Sequence, residues 1–124
     1  MSNISADADA LHRFWFEEID RAMWFKKDVE FDNQLSERFG ALHAQAGLGE
    51  LYTWRDSARG RLSEIIVLDQ FSRNLFRDSA KAFAFDGMAL TLAQEAVRCG
   101  ADTELNAPER VFLYMPYMHS ESPA

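Results

Sequence analysis

Prolines are confined to positions 108, 116 and 123, so the first 107 residues meet no hard helix breaker. Along that stretch apolar residues recur at three- and four-residue spacings, and no run alternates convincingly with the two-residue period of a half-buried strand. Such a chain is expected to fold all-α, as helices packed on helices. Its 124 residues make one domain. A 48% hydrophobic content with ten Phe, three Trp and three Tyr supplies a core at that size.

Five helices are predicted. The first covers about Asp7 to Glu18, with Leu11, Phe14 and Trp15 at i, i+3 and i+4, and with Asp7 and Asp9 in the first turn, where the helix dipole favours negative charge. Trp24 and Phe25 in the following linker are expected to anchor it. The second helix runs from about Phe31 to Ala46 on a stripe of Leu35, Phe39, Leu42 and Ala46, with Asp28 or Asp32 as cap and Gly47 and Gly49 as stop. Tyr52 and Trp54 read as loop anchors. Ser57 or Asp56 caps a third helix that reaches about Phe71. The fourth starts near Ser79 or, by preference, with Asp86 as cap, and ends at Gly100. Asn106 and Glu109 have capping-box spacing and open a fifth, which Pro116 ends or kinks.

The third helix carries the candidate site, in "LDQFSRNLFRD" at 68–78. At about 100° per residue, Leu62, Ile65, Ile66, Asp69 and Arg73 share one arc, while Val67 and Phe71 fall opposite. A helix apolar on both sides is central, so Asp69 turns inward. A buried carboxylate needs a partner, and Arg73 at i+4 is within reach, with Arg77 one turn further. Gln70 and Asn74 are likewise four apart. Two readings follow. Asp69 and Arg73 are a structural lock, the preferred one, or Arg73 and Arg77 line a cleft that takes a carboxylate or phosphate by bidentate contact. A catalytic role for Asp69 is the third. His119 and Glu121, in "HSES", are expected to bond the same polar group; two such side chains fall short of a metal site. The candidate ligand-binding set is therefore Asp69, Arg73, Asn74, Arg77, His119 and Glu121. His12 and His43 are expected at the surface or its boundary.

A net charge of −7 argues against nucleic acid and anionic membranes as partners. No window approaches the ~18 apolar residues of a membrane span. The N-terminus lacks signal-peptide character, so a cytoplasmic location is expected. A single cysteine, Cys99, excludes an intrachain disulfide or CxxC site. Nucleotide and hydrolase motifs are absent, and no cofactor is expected.

Several blocks together resemble a known family. "FWF" at 14–16, "WFKKD" at 24–28, "FD" at 31–32, "ERFGALH" at 37–43, "GEL" at 49–51, "LDQFSRNLFRDSAKAFAFD" at 68–86 and "PERVFLYMPYMHSE" at 108–121 are similar, in order, to bacterial domain-of-unknown-function family 924. Ser72 stands where that family usually has Pro. The resemblance implies a TPR-like array of stacked antiparallel helix hairpins and no assigned activity. The matching signature positions are Asp69, Gln70, Arg73, Asn74, Arg77, Phe83, Asp86, Pro116, His119, Ser120 and Glu121. Members commonly continue beyond the "HSE" segment, whereas this sequence stops three residues after it. That departure predicts an uncovered apolar face on "VFLYMPYM" and association into a homodimer or oligomer. The function expected on this basis is a protein- or peptide-binding or assembly module. The alternative is an anionic small-molecule binder or enzyme with a pocket around Asp69, Arg73 and His119.

Overall fold

The computed structural model describes residues 6–119. Among the described residues the chain is all-α, with five helices and no strand. We label them α1 (Ala6–Arg13), α2 (Val29–Gly47), α3 (Ala58–Ile66), α4 (Asp86–Arg98) and α5 (Ala107–His119). A π turn, Phe14–Glu18, prolongs α1. Another, Val67–Phe71, prolongs α3, and one last α-helical turn, Ser72–Leu75, follows it.

Local chemistry sets the starts. The Asp28 carboxylate accepts from the Phe31 N–H at 3.0 Å and opens α2. The Ser57 hydroxyl accepts from the Gly60 N–H at 2.9 Å and opens α3. Asn106 and Glu109 exchange side chain-to-backbone bonds of 2.8 and 3.0 Å, the reciprocal capping box expected of them. Gly60 is required by close approach, because a Cβ there would lie 2.0 Å from the Trp54 carbonyl oxygen. Asp86 does not cap α4. It is that helix's first residue, its carboxylate is engaged elsewhere, and Phe85 in the cap position offers no side-chain acceptor.

The α3 segment is the central element. It packs on α1, α4 and α5, and its C-terminal extension packs on α2. Every residue from Leu62 to Ser72 is buried. The largest fully buried side chains, Trp15, Phe71 and Phe112, meet around it, with Trp15 5.6 Å from Phe71 and 5.5 Å from Phe112 between ring centroids. Trp24 ties the linker down by donating its indole N–H to the Trp15 carbonyl at 2.8 Å.

Expectations at Phe25, Tyr52, His12 and His43 are corrected. Phe25 stacks near Phe112 but stays 66% exposed, and Tyr52 is 63% exposed. Side chains two apart on the 3-10 turn Tyr52–Asp56 diverge by about 120°, so Trp54 faces the core and Tyr52 faces out. His12 and His43 are buried rather than superficial. His12 Nε2 pairs with Glu109, whose other oxygen serves the capping box, and His43 Nε2 lies 2.8 Å from the Ser72 hydroxyl. Helix α5 runs through Pro116 to His119, which keeps His119 on helical geometry.

Candidate functional site

Asp69 sits in the π turn of the central segment and is 1% exposed. Its carboxylate accepts from three side chains. Arg73 Nη1 reaches Oδ1 at 3.0 Å, His119 Nδ1 lies 2.8 Å from the same oxygen, and Gln70 Nε2 donates to Oδ2 at 2.9 Å. Arg73 Nη1 also donates to the Asp69 carbonyl at 3.0 Å. A buried charge is tolerated on such terms, with its lone pairs filled by donors, one of them cationic.

Arg73 faces two ways. Its two terminal nitrogens grip both oxygens of Asp86, at 3.0 and 3.1 Å, in a fork-to-fork pair that ties the α3 segment to α4. The guanidinium carbon stands 5.3 Å from the centroid of the Phe83 ring. His119 ties α5 to the same carboxylate. Arg73 thus links α4 to the central segment and α5, which meet at Asp69. Above it opens a cleft of about 540 Å³ lined by Arg73, Phe83, Asp86, Gly87, Leu90, Pro116 and His119. Arg73, Asp86 and His119 give it polar lining, and Phe83, Leu90 and Pro116 give it apolar lining.

A second cluster holds the far end of the segment. Asn74 Nδ2 donates to Asp32 Oδ1 at 2.8 Å, and Arg77 Nε and Nη2 donate to Asp32 at 2.8 and 3.2 Å. The hydrogen bond to Asp32 raises the Arg77 guanidinium above its usual value. A smaller recess of about 150 Å³ lies between Trp24, Phe25 and Lys26 on one side and Gln70, Arg73, Asn74 and Arg77 on the other.

A family model described as bacterial protein of unknown function, DUF924, matches residues 11–124. The chain belongs to this family. A solved structure, that of the protein of unknown function ATU0120 from Agrobacterium tumefaciens, is 38% identical with a TM-score of 0.90. The match covers 94% of this chain and 66% of that one, so the chain spans just under two thirds of its relative's length. No curated protein matches.

In this DUF924 chain the six sequence-level candidates separate. Asp69, Arg73 and His119 meet at the large cleft. Asn74 and Arg77 turn to Asp32 instead. Glu121 lies outside the described residues, as does Ser120. Arg73 and Arg77 both line the smaller recess, and there each guanidinium fork is already engaged by a carboxylate of the chain, Asp86 for Arg73 and Asp32 for Arg77. Asp86 and Asp32 are the site residues that local spacing missed. They lie 13 and more than 40 residues from their partners, and their places at helix starts and within the family-like blocks did not show which side chains they would meet. Among the described residues no group of three or more His, Cys, Asp or Glu side chains is placed to hold a metal ion, and no helix is long and apolar enough to cross a membrane.

Proposed function

We propose that this domain binds a small polar molecule in the cleft between the α3 segment, α4 and α5. The observation that carries the proposal is the convergence of Arg73, Asp86 and His119 on one 540 Å³ recess above the buried Asp69. That volume lies in the range of small-molecule sites, and an apolar wall with a few converging polar groups is their usual composition. A free carboxylate or phosphate gains little there, since Asp69 and Asp86 already fill the Arg73 fork. Neutral ligands able to hydrogen-bond His119 fit better. A fragment library titrated into the isotope-labelled full chain tests this. Saturable shifts should gather on Gly87 and on the Arg73 and His119 side chains, and Leu90→Trp should abolish them. Hits that map to the Asp32–Arg77 cluster, or that survive Leu90→Trp, would refute the proposal.

One observation favours a protein-binding or assembly role instead. Phe83 at the cleft rim is 60% exposed and Met118 on α5 is 74% exposed. Val111 and Met118, seven residues apart, share an exposed face of that helix. In a TPR-like, cytoplasmic protein the occupant of that face would be a second copy of the chain. A single monomeric species by light scattering at micromolar concentration removes this alternative.

A further inference from the structure

We infer that Asp69 and His119 form an acid–base pair that hydrolyses a small neutral ester held in this cleft. The inference rests on the small-molecule reading of the cleft and adds chemistry to it.

Three features carry the inference. The first is the orientation of the imidazole. Asp69 also accepts from Arg73 and Gln70, so it is a carboxylate, and the hydrogen in the 2.8 Å contact belongs to His119 Nδ1. In its neutral form the ring then carries its lone pair on Nε2, the nitrogen that Asp69 does not engage, and His119 itself lines the cleft. A buried carboxylate that fixes the tautomer of a cleft histidine is the arrangement that makes an imidazole a general base. The second feature is the start of α4. Phe85 gives it no side-chain cap, Gly87 lines the cleft, and nothing lies within 4 Å of where a Gly87 Cβ would stand. Backbone amides at that open helix start can receive a developing oxyanion. The third is charge. Asp69 and Asp86 already hold the Arg73 fork, so an uncharged substrate suits the cleft, with its alkyl or acyl part against Phe83, Leu90 and Pro116.

The step balances without a cofactor. Water gives a proton to His119 Nε2 as its oxygen bonds to the carbonyl carbon. The carbonyl electron pair moves onto oxygen beside the first turn of α4. Collapse restores the C=O bond and breaks the bond to the leaving alkoxide, which takes the proton back from His119. The products are an acid and an alcohol.

The probes are p-nitrophenyl acetate and p-nitrophenyl butyrate with the full chain. Saturable hydrolysis is expected. His119→Gln should lower it by about 100-fold or more, the usual worth of a general base. Asp69→Asn should lower kcat at least about tenfold with KM little changed, since Asp69 only positions the ring. His12 and His43 are buried, so an unassisted surface imidazole is the competing explanation, and it predicts no effect of Asp69→Asn. Gly87→Leu serves if Asp69→Asn does not fold. It enters open space outside the core, and it should block the esters from the helix start. Equal rates in wild type and His119→Gln, or in wild type and both Asp69→Asn and Gly87→Leu, overturn the inference. Saturable shifts of the His119 signals by a non-activated ester, ethyl butyrate, without turnover of any ester, overturn the chemistry and leave the binding proposal standing. No turnover and no shifts overturn both.

Discussion

Replacing Arg73 with Met removes the guanidinium, including its place over the Phe83 ring, and keeps most of the aliphatic stem. The consequences fall unequally on its two carboxylate partners. Asp86 keeps about a quarter of its side chain exposed and can be hydrated where Arg73 leaves it. Asp69 is 1% exposed and cannot. It does keep Gln70 at 2.9 Å and His119 at 2.8 Å. Stranding a buried charge outright costs about 3–5 kcal/mol, and one lost hydrogen bond to a charged group costs about 1.5–3 kcal/mol. With two donors of three retained, the expected loss is about 3 kcal/mol. In urea that lowers the unfolding midpoint by about 1–3 M at unchanged slope, which circular dichroism reads directly. The companion variant Arg73→Met/Asp69→Asn removes the stranded charge along with its partner, so it should recover at least about half of the loss. A loss below about 1 kcal/mol, or a double variant no better than the single one, would refute the claim that Asp69 is held as a charge by Arg73.

Other parts of the fold make their own forecasts. Arg55 grips both oxygens of the fully buried Glu64 at 2.9 and 2.8 Å, so Arg55→Met should cost about 3–5 kcal/mol in urea unfolding. Gly60→Ala sets a methyl group 2.0 Å from the Trp54 carbonyl oxygen and should cost about 1–3 kcal/mol, read as a lower thermal midpoint. Burial lowers the pKa of His43 in the folded state, so the unfolded chain binds the proton more readily. Its contribution to stability is therefore complete above about pH 6.5, the unfolded value, and is lost as pH falls from there towards the folded value. Urea midpoints between pH 5 and pH 8 should show that acid limb, and His43→Gln should flatten it.

What could be read from the chain alone was whatever lies within one helix. The apolar stripes placed the helices, and angular bookkeeping along the third turned Asp69 inward and gave it Arg73 at i+4, as found. Partners across the fold were beyond that reach. Nothing local marks Asp86 for Arg73, Asp32 for Arg77, or Glu109 for a histidine 97 residues away. His43 is a different kind of miss. It lies four residues beyond Phe39 on the very stripe that defined α2, and its polarity alone argued for the surface. Its place inside is made tolerable by the Ser72 hydroxyl and by the edges of Phe76 and Phe85. The continuation past Phe71, on which the Arg73 partner depended, runs through a π turn that breaks the 3.6-residue period from which boundaries are judged, so the expected end fell at about Phe71.

Lock and site were opposed at the level of sequence, and the geometry shows why they need not be. Asp69 ties α5 to the central segment from a buried position, and burial obliges its neighbours to fill its lone pairs. One of those neighbours is the imidazole of His119, which also lines the cleft. A solvated carboxylate would hold that ring loosely, since water would compete for both partners. A carboxylate fixed by Gln70 and Arg73 leaves His119 Nδ1 one acceptor geometry. The same contacts that close the fold therefore set the ring that the cleft presents. Weakening them should loosen the helices and disorder the site together, whereas His119→Gln should disarm the site while the Arg73–Asp86 tie between the central segment and α4 stays in place.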